Sequence, residues 1–544
     1  MSVFQAAFIA LCYSFARSAF NAGLGGYILS QPLIAGTIAG LLLGDPIAGA
    51  ALGGVINLGT LALSQLRINL HPDTALIGYV GVSLMLLGGV RADTPTAATV
   101  FMALAVLGIL INFLIGVVNS VLAHWADFFA ERGDAALVGF MNIAPTQVWL
   151  FIITFIPAFL LLRLDVKALL DLSAFIPLWV QGAFGMTQHL LAALGIAISL
   201  RLIMQGSSIA YFILGWLGAQ VFGLAPVSLL GASVALVHAF LARKRMESDQ
   251  ETLITDTQPS DQQPRNNAIA PRLSANDLRL SLLLWVFFHD AGLNFERFQN
   301  LGFATALAPV VNRLYSDTKE RAECLQRHLT LFISEFATGA LLLGATAAIE
   351  ERLAGGDAIS NAEVVGARTG LMAGVKVFGD ALLGGAITTL AVAIGAALAA
   401  QQSLMGPFLF IIIEAAAVMG ITYASFRLGY TRFAQVQAWA QAHDWLRAGL
   451  FGALRLGTFM LGALMLTLAP MALPATAIIS IDAARIPLQT TLLDAIMPGM
   501  LPLAITLLLW WLLRYRNANP MLLLGGILVV SFATCGLMSL LGWL

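Results

Sequence analysis

The sequence predicts an all-α polytopic membrane protein, built as two helical membrane units with re-entrant or broken helices and joined by a polar cytoplasmic linker. Three observations predict it. Of 544 residues, 59% are hydrophobic and only 10% charged, whereas a soluble domain carries about 25% charged residues. Long runs hold no charged side chain: Ala97 to Ala123, Gly385 to Ile413 and Pro520 to Leu544. Each is long enough to cross a hydrocarbon core, which takes about 20 helical residues. Finally, hydrophobicity collapses once, from Arg243 to Arg279, into a polar stretch that cannot bury enough apolar area to fold alone.

The apolar runs are continuous, which excludes a β-barrel of short alternating segments. The 51 glycines fit membrane helices, where they let backbones approach closely. A net charge of −1 gives no basic surface for nucleic acid. Cys12, Cys324 and Cys535 are isolated and odd in number, so neither a disulfide framework nor a metal cluster is expected. The first apolar run lacks a basic leader and a clear cleavage site, and is read as part of the mature chain.

Three segments follow: a membrane unit over 1–242, the linker over 243–275 and a second membrane unit over 276–544. The linker opens on Arg243-Lys244-Arg245 directly after an apolar segment, which places it in the cytoplasm. Arg297, Arg313, Lys319, Arg321 and Arg327 put the start of the second unit, an amphipathic stretch over 276–335, on the same side. Arg514 and Arg516 between the last two spans also read as inside, leaving the C-terminus outward. The first unit should hold about seven to nine hydrophobic segments, one interrupted at Gly44-Asp45-Pro46 and Gly53-Gly54. Broken helices survive in lipid only where protein or a watery cavity covers the freed backbone, and they often mark a transport site. Gly44-Asp45-Pro46-Ile47-Ala48-Gly49 is echoed by Gly379-Asp380-Ala381-Leu382-Leu383-Gly384. The echo is either chance or a pair of matched re-entrant elements.

Two sets of motifs carry a family resemblance. In the first unit these are Pro32-Leu33-Ile34-Ala35, Gly40, Gly44-Asp45, Gly49, Gly53-Gly54 and Pro72-Asp73. In the second they begin with Asn294-Phe295-Glu296-Arg297 and Leu301-Gly302-Phe303 and continue through Arg313-Leu314-Tyr315, Arg327-His328-Leu329, Glu350-Glu351, Gly379-Asp380 and Met497-Pro498-Gly499. The order and spacing resemble the enzyme IIC and enzyme IID subunits of the mannose/fructose/sorbose-type phosphotransferase sugar permeases, here fused. The resemblance implies a multi-pass protein of the bacterial inner membrane, working as a trimer of IIC–IID pairs. It also implies that sugar is phosphorylated from a phosphohistidine on a separate cytoplasmic IIB partner charged by IIA. No soluble IIA or IIB domain is evident in the chain, and no cofactor or metal is implied. The chain departs from the family at Asn57 (usually Glu), at Gln65 (usually Asn), and at Arg67, Asn69 and His71 (usually small). Two further departures are Ile333-Ser334-Glu335-Phe336 and the run Ala373 to Ala381, where two prolines are lost and Lys376 is gained.

A hexose presents hydroxyls that donate and accept, and amides and carboxylates match them. Asn57, Gln65, Arg67, Asn69, His71 and Asp73 lie on one short stretch. Read functionally, they line the sugar site, with Asp45, Glu335, Lys376 and Asp380 nearby; the bland reading is a loop at the membrane edge. Arg67 and Lys376 could hold a substrate carboxylate, as of a sugar acid, or pair with acids of this chain, the commoner fate of a buried cation. Asn294, Glu296 and Arg297 read either as a cytoplasm-side element touching the exit or the IIB partner, or as a helix-start cap with surface charges. Arg313, Arg321, Arg327 and His328 read as a basic cytoplasmic patch. The sequence holds no HExxH, GxxxxGK[ST] or GxSxG pattern. The expected function is sugar permeation for phosphorylation elsewhere; the alternative is a diverged facilitator or sensor without coupled phosphorylation.

Overall fold

The computed structural model describes residues 1–64, 72–164, 177–222 and 273–442, with short gaps at 22, 91–93, 204–208 and 358, and then shorter stretches, chiefly 478–481, 484–487, 494–518 and 520–540. Most of the linker expectation and the residues Gln65, Arg67, Asn69 and His71 therefore lie outside the described residues.

The first half opens with α1 (Val3–Arg17), started by a capping box of Ser2 and Gln5. A short helix α2 (Pro32–Leu43) then turns back into α3 (Pro46–Ser64). Gly44 at φ 96° makes the turn, and the Asp45 carboxylate accepts from the Ala48 amide to begin α3. The 12 residues of α2 reach about 18 Å, too little for a hydrocarbon core of about 30 Å. The pair is thus a tight hairpin of the re-entrant kind. It is fastened by glycines: a Cβ on Gly53 would lie 2.2 Å from the Pro32 carbonyl, and one on Gly49 2.3 Å from the Gly36 carbonyl. Gly53-Gly54 therefore does not break the helix, against expectation; it lies inside α3 and lets α2 close upon it. Helix α4 (Thr74–Gly88) and the long α5 (Pro95–Ala130) and α6 (Ala135–Arg163) follow, with α7 (Leu178–Ile203) and α8 (Ile209–Phe222).

The second half begins at α9 (Ala275–Phe288), capped by Ser274, and continues through α10 (Asn300–Leu314), α11 (Thr318–His328) and α12 (Phe336–Ala354). Its first stretch is amphipathic as expected in α11, where Thr318, Lys319, Glu320, Glu323 and Gln326 are exposed while Ala322, Cys324 and Leu325 are buried, whereas α10 is buried almost along its length. Helix α13 (Asn361–Gly379) runs without a turn through a π-helical segment, Asp380–Thr388, into α14 (Thr389–Ala400). A turn with Gln402 at φ 60° leads to α15 (Met405–Ala442), kinked at Arg432. The uncharged run from Gly385 to Ile413 is thus two helices, not one span. These two helices close on each other through Gly406, whose Cβ would lie 2.2 Å from the Gly395 carbonyl. The echo of Gly44-Asp45 at Gly379-Asp380 is not structural, since the first is a turn and the second a continuous helix. The hairpin that answers α2–α3 is α14–α15. A short antiparallel pair, Ile478–Ile481 with Ala484–Pro487, departs from the all-helical expectation; its isoleucines favour extended backbone. Helices α16 (Met500–Tyr515) and α17 (Pro520–Leu540) pack against α7.

The halves are intimately joined. Helix α14 lies on α3, with Gly54 seated against Ala396 and Gly395 against Leu33. Helix α10 packs on α6, and one buried core includes Leu33 and Val138 of the first half and Leu301 and Val392 of the second. Among the described residues four helices are long and apolar enough to cross a membrane: Thr99–Ala130, Ala135–Arg163, Leu382–Ala400 and Met405–Arg432.

Candidate functional site

Between the halves lies a cavity of about 360 Å³, walled by Arg17, Gln31 and Asn119 from the first half and by His289, Asn294 and Lys376 from the second. That volume falls within the range of small-molecule sites, about 300–1,000 Å³.

The first-half wall starts where α1 ends. Arg17 reaches back to Asp73, Nε to Oδ2 3.3 Å, and donates to the Asn112 amide oxygen. Asp73 is buried, accepts from the Tyr13 hydroxyl at 2.7 Å and caps α4 through the Leu76 amide. Asn57 is also buried. Its oxygen accepts from the Leu33 amide at 3.0 Å, one of the orphan donors of the first turn of α2, and its nitrogen donates to Gln31 Oε1 at 3.0 Å. Asn57 and Asp73, expected in the wall, thus stand one layer behind it, holding Gln31 and Arg17. Asp45 is exposed at the hairpin tip and takes no part. The amides Asn119 of α5 and Gln147 of α6 complete this side.

The second-half wall is the loop between α9 and α10. Asn294 is buried and folds the loop on itself: its main-chain and side-chain N–H groups both donate to the Phe298 carbonyl at 3.1 Å, and its oxygen accepts from the Arg297 amide. Phe298 is thereby held at φ 56°, a conformation bulky residues rarely adopt, and it faces the cavity. Asn294 is therefore a loop organiser, not a helix cap. Glu296 and Arg297 turn to the first half: Arg297 grips Asp127 of α5 with two hydrogen bonds of 2.8 and 2.6 Å, and Glu296 meets His124 at 3.1 Å. Asn119 donates to the Leu293 carbonyl at 2.9 Å, and Asn142 of α6 to the Phe288 carbonyl at 3.0 Å. Glu296 and Arg297 thus reach across the seam between the halves, Arg297 largely covered and Glu296 half exposed.

Glu335 is fully buried and caps α12 through the amides of Ala337 and Thr338. It also accepts from the hydroxyl of Tyr27, which lines the cavity from the first half. Lys376 lines the cavity with its ammonium 2.7 Å from Asp380, so the gained cation pairs within its own helix. The residues sequence reasoning missed are mostly neutral amides and one cation: Arg17, Gln31, Asn112, Asn119, Gln147 and Gln299. The signal existed. Asn112 and Asn119 lie seven residues, two helical turns, apart within the uncharged run of α5, and a polar group there is expensive without a purpose.

The buried polar atoms Asn119 Oδ1 and Gln147 Nε2 have no hydrogen-bond partner among the described residues. The wall therefore offers unpaired donors and acceptors together, which is what a polyhydroxylated ligand satisfies.

A second polar cluster lies away from the cavity. Glu350 accepts from His328 Nε2 (2.7 Å), Arg327 Nε (2.9 Å) and the Tyr315 hydroxyl (2.6 Å), while Arg368 Nη1 lies 3.2 Å from His328 Nδ1. Burial alone would push the Glu350 carboxyl up, but His328 and Arg327 outweigh it and hold it well below the usual carboxylate range. Burial pushes the His328 imidazole down, and Arg368 and Arg327 push the same way. Arg327 and His328 are consequently buried structural groups and not part of an exposed basic patch. Cys324 lies near His328 and Glu350 in a trio of ligand-like atoms. The carboxylate is already committed and two guanidiniums adjoin it, so the trio is a poor cation site.

Comparison with known proteins follows the two halves. Residues 3–238 match the family described as the PTS system sorbose-specific IIC component, and residues 272–541 the family described as the PTS system mannose/fructose/sorbose family IID component. The fructose permease IID component of Bacillus subtilis (strain 168) is 34% identical over 48% of this chain and 94% of its own length. The mannose-specific EIID component of Escherichia coli (strain K12) is 32% identical over 49% of this chain and 96% of its own. The mannose-specific EIIC component of the same strain is 21% identical over 41% of this chain and 85% of its own.

Proposed function

Because the chain belongs to the mannose/fructose/sorbose family of phosphotransferase-system permeases, with the IIC and IID components on one polypeptide, we propose that it carries a neutral hexose-like sugar through the cavity between its halves to the cytoplasm, where a separate IIB subunit phosphorylates it. The observation that carries this reading is the wall itself. Amides from both halves converge on one chamber, and two of their polar atoms, Asn119 Oδ1 and Gln147 Nε2, lack partners among the described residues. A site built on such groups rejects analogues that lack the matching hydroxyl.

The pairing of Lys376 with Asp380 supports a neutral substrate over a sugar acid, since a substrate carboxylate would have to displace an intramolecular one. The large apolar side chains exposed along α5, α6 and α15, such as Phe113, Ile152 and Phe408, suit a lipid surface in a bacterial membrane. Assembly as a trimer of such fused pairs remains a proposal from family likeness, and the mass of the detergent-solubilised particle tests it.

Phosphoenolpyruvate-dependent phosphorylation of a hexose panel decides the function. Membranes holding the chain, supplied with general carriers and mannose-family IIA and IIB, should form sugar phosphate only when all are present. Sugar entry without any phosphorylation would instead favour a facilitator, a reading whose support is the altered run from Ala373 to Ala381.

A further inference from the structure

The cavity holds one group that sugar binding does not need. His289 ends α9, and Asp290 follows it directly. The turn brings the two side chains together: His289 Nε2 lies 2.9 Å from Asp290 Oδ2. A carboxylate only accepts, so Nε2 carries the hydrogen and Nδ1 of the neutral ring keeps a lone pair. That Nδ1 has no hydrogen-bond partner among the described residues. His328 forms the contrast, since both of its ring nitrogens are engaged.

The pair is held in place from several sides. The imidazole packs between Phe336, 4.4 Å away centroid to centroid, and Trp285 at 5.5 Å. The His289 carbonyl sits on Gly302, where a Cβ would come within 2.0 Å. Asp290 Oδ1 accepts from Gln299 Nε2 at 2.7 Å, and Gln299 in turn accepts from the Ser334 amide at 2.8 Å. An imidazole oriented by a carboxylate, with its second nitrogen buried and unpartnered among the described residues beside a substrate cavity, is the arrangement of a general base.

We infer that His289, oriented by Asp290, accepts the proton of the sugar hydroxyl as that hydroxyl receives the phosphoryl group. This rests on the phosphotransfer reading above. The hydroxyl oxygen forms the new bond to phosphorus while the phosphorus–nitrogen bond of the IIB phosphohistidine breaks. That ring, protonated on its second nitrogen, keeps the bond's electron pair and leaves as neutral imidazole. The hydroxyl proton passes to His289 Nδ1. The resulting imidazolium is stabilised by Asp290 until it releases the proton to water. The cavity residues Arg17 and Lys376 each already face a carboxylate, Asp73 and Asp380, and are not bases.

The test uses the full-length chain in membranes with all carriers and radiolabelled mannose, fructose, sorbose and N-acetylglucosamine. His289→Ala should lower the phosphorylation rate about 10²-fold or more while sugar affinity changes less than about threefold, and added free imidazole should restore about tenfold of the loss. Asp290→Asn, at a half-exposed side chain, should slow phosphorylation about tenfold or more with binding intact, because the imidazolium loses its counter-charge. If both variants phosphorylate at the wild-type rate, the role is overturned and the permease reading stands. Loss of sugar binding in His289→Ala together with full activity in Asp290→Asn also overturns it, leaving His289 a sugar contact. Failure of the wild-type chain to phosphorylate any of the sugars overturns the phosphotransfer reading and this role with it.

Discussion

Glu350 shows how much one side chain can organise. Three donors converge on it, and two of its neighbours are guanidiniums. Glu350→Ala leaves Arg327 buried without its counter-charge, and the expected loss is about 3–5 kcal/mol of stability, read as a lowered unfolding midpoint in detergent. His328 adds an acid sensitivity. Its imidazole is held below the ordinary value, so the unfolded chain binds a proton first, near about pH 6.5. The contribution is complete above that pH and shrinks as pH falls through it. Glu350, held low, keeps its contribution above about pH 4.3 and loses it only on further acidification. The midpoint should therefore drop between about pH 7 and about pH 5, and His328→Asn should flatten that drop. A wild-type midpoint that stays level across this interval refutes the assignment. The sequence flagged Arg327 and His328 as part of a basic patch and, with Tyr315 and Glu350, as separate family motifs, but nothing in a linear pattern tells that Glu350, 22 residues beyond His328, would sit among them. Asn57 and Asp73 were legible as special but not as supporting groups. Whether a polar side chain faces a cavity or the residue lining it depends on the neighbouring helix, which local sequence does not encode.

At the level of elements, glycine spacing was the most readable feature. Gly44 was foreseen as a break and is one, at φ 96°. Gly53-Gly54 was foreseen as a break and is a packing face, because glycine signals close approach as readily as a turn. The two uses separate in experiment. Gly53→Ala and Gly406→Ala each drive a methyl to 2.2 Å from a carbonyl oxygen of the facing helix, and should cost about 1–3 kcal/mol. Gly420→Ala, with open space around it in α15, should be neutral or slightly stabilising. Thermal unfolding of the three variants side by side checks the contrast; equal behaviour would mean that the hairpins are loosely packed. The uncharged run from Gly385 to Ile413 misled because hydropathy does not distinguish one span from two helices joined by a short uncharged turn.

At the level of the molecule, composition alone gave the class and the collapse of hydrophobicity gave the two-unit plan, while the embrace of the units was beyond it. That embrace is held by α14 on α3, by α10 on α6 and by the Arg297–Asp127 grip. Arg297→Ala should weaken the seam by about 1–3 kcal/mol, as loss of hydrogen bonds to a charged group does. Two chains, 1–242 and 273–544, expressed together should still copurify, because the contact is extensive and the tether chiefly raises effective concentration. Recovery of either half alone from such a preparation would show that the covalent link, not the interface, holds them.

A chamber assembled from both sides of the seam has an evolutionary corollary. On the proposal that this chamber holds the sugar, the positions that would tune it lie far apart in the gene, near Gln31 or Asn119 and near Asn294. Carried on separate polypeptides, such positions can be separated by exchange of either partner. On a single reading frame they are inherited together, so a rare specificity, once reached, cannot be undone by mixing with a mismatched counterpart.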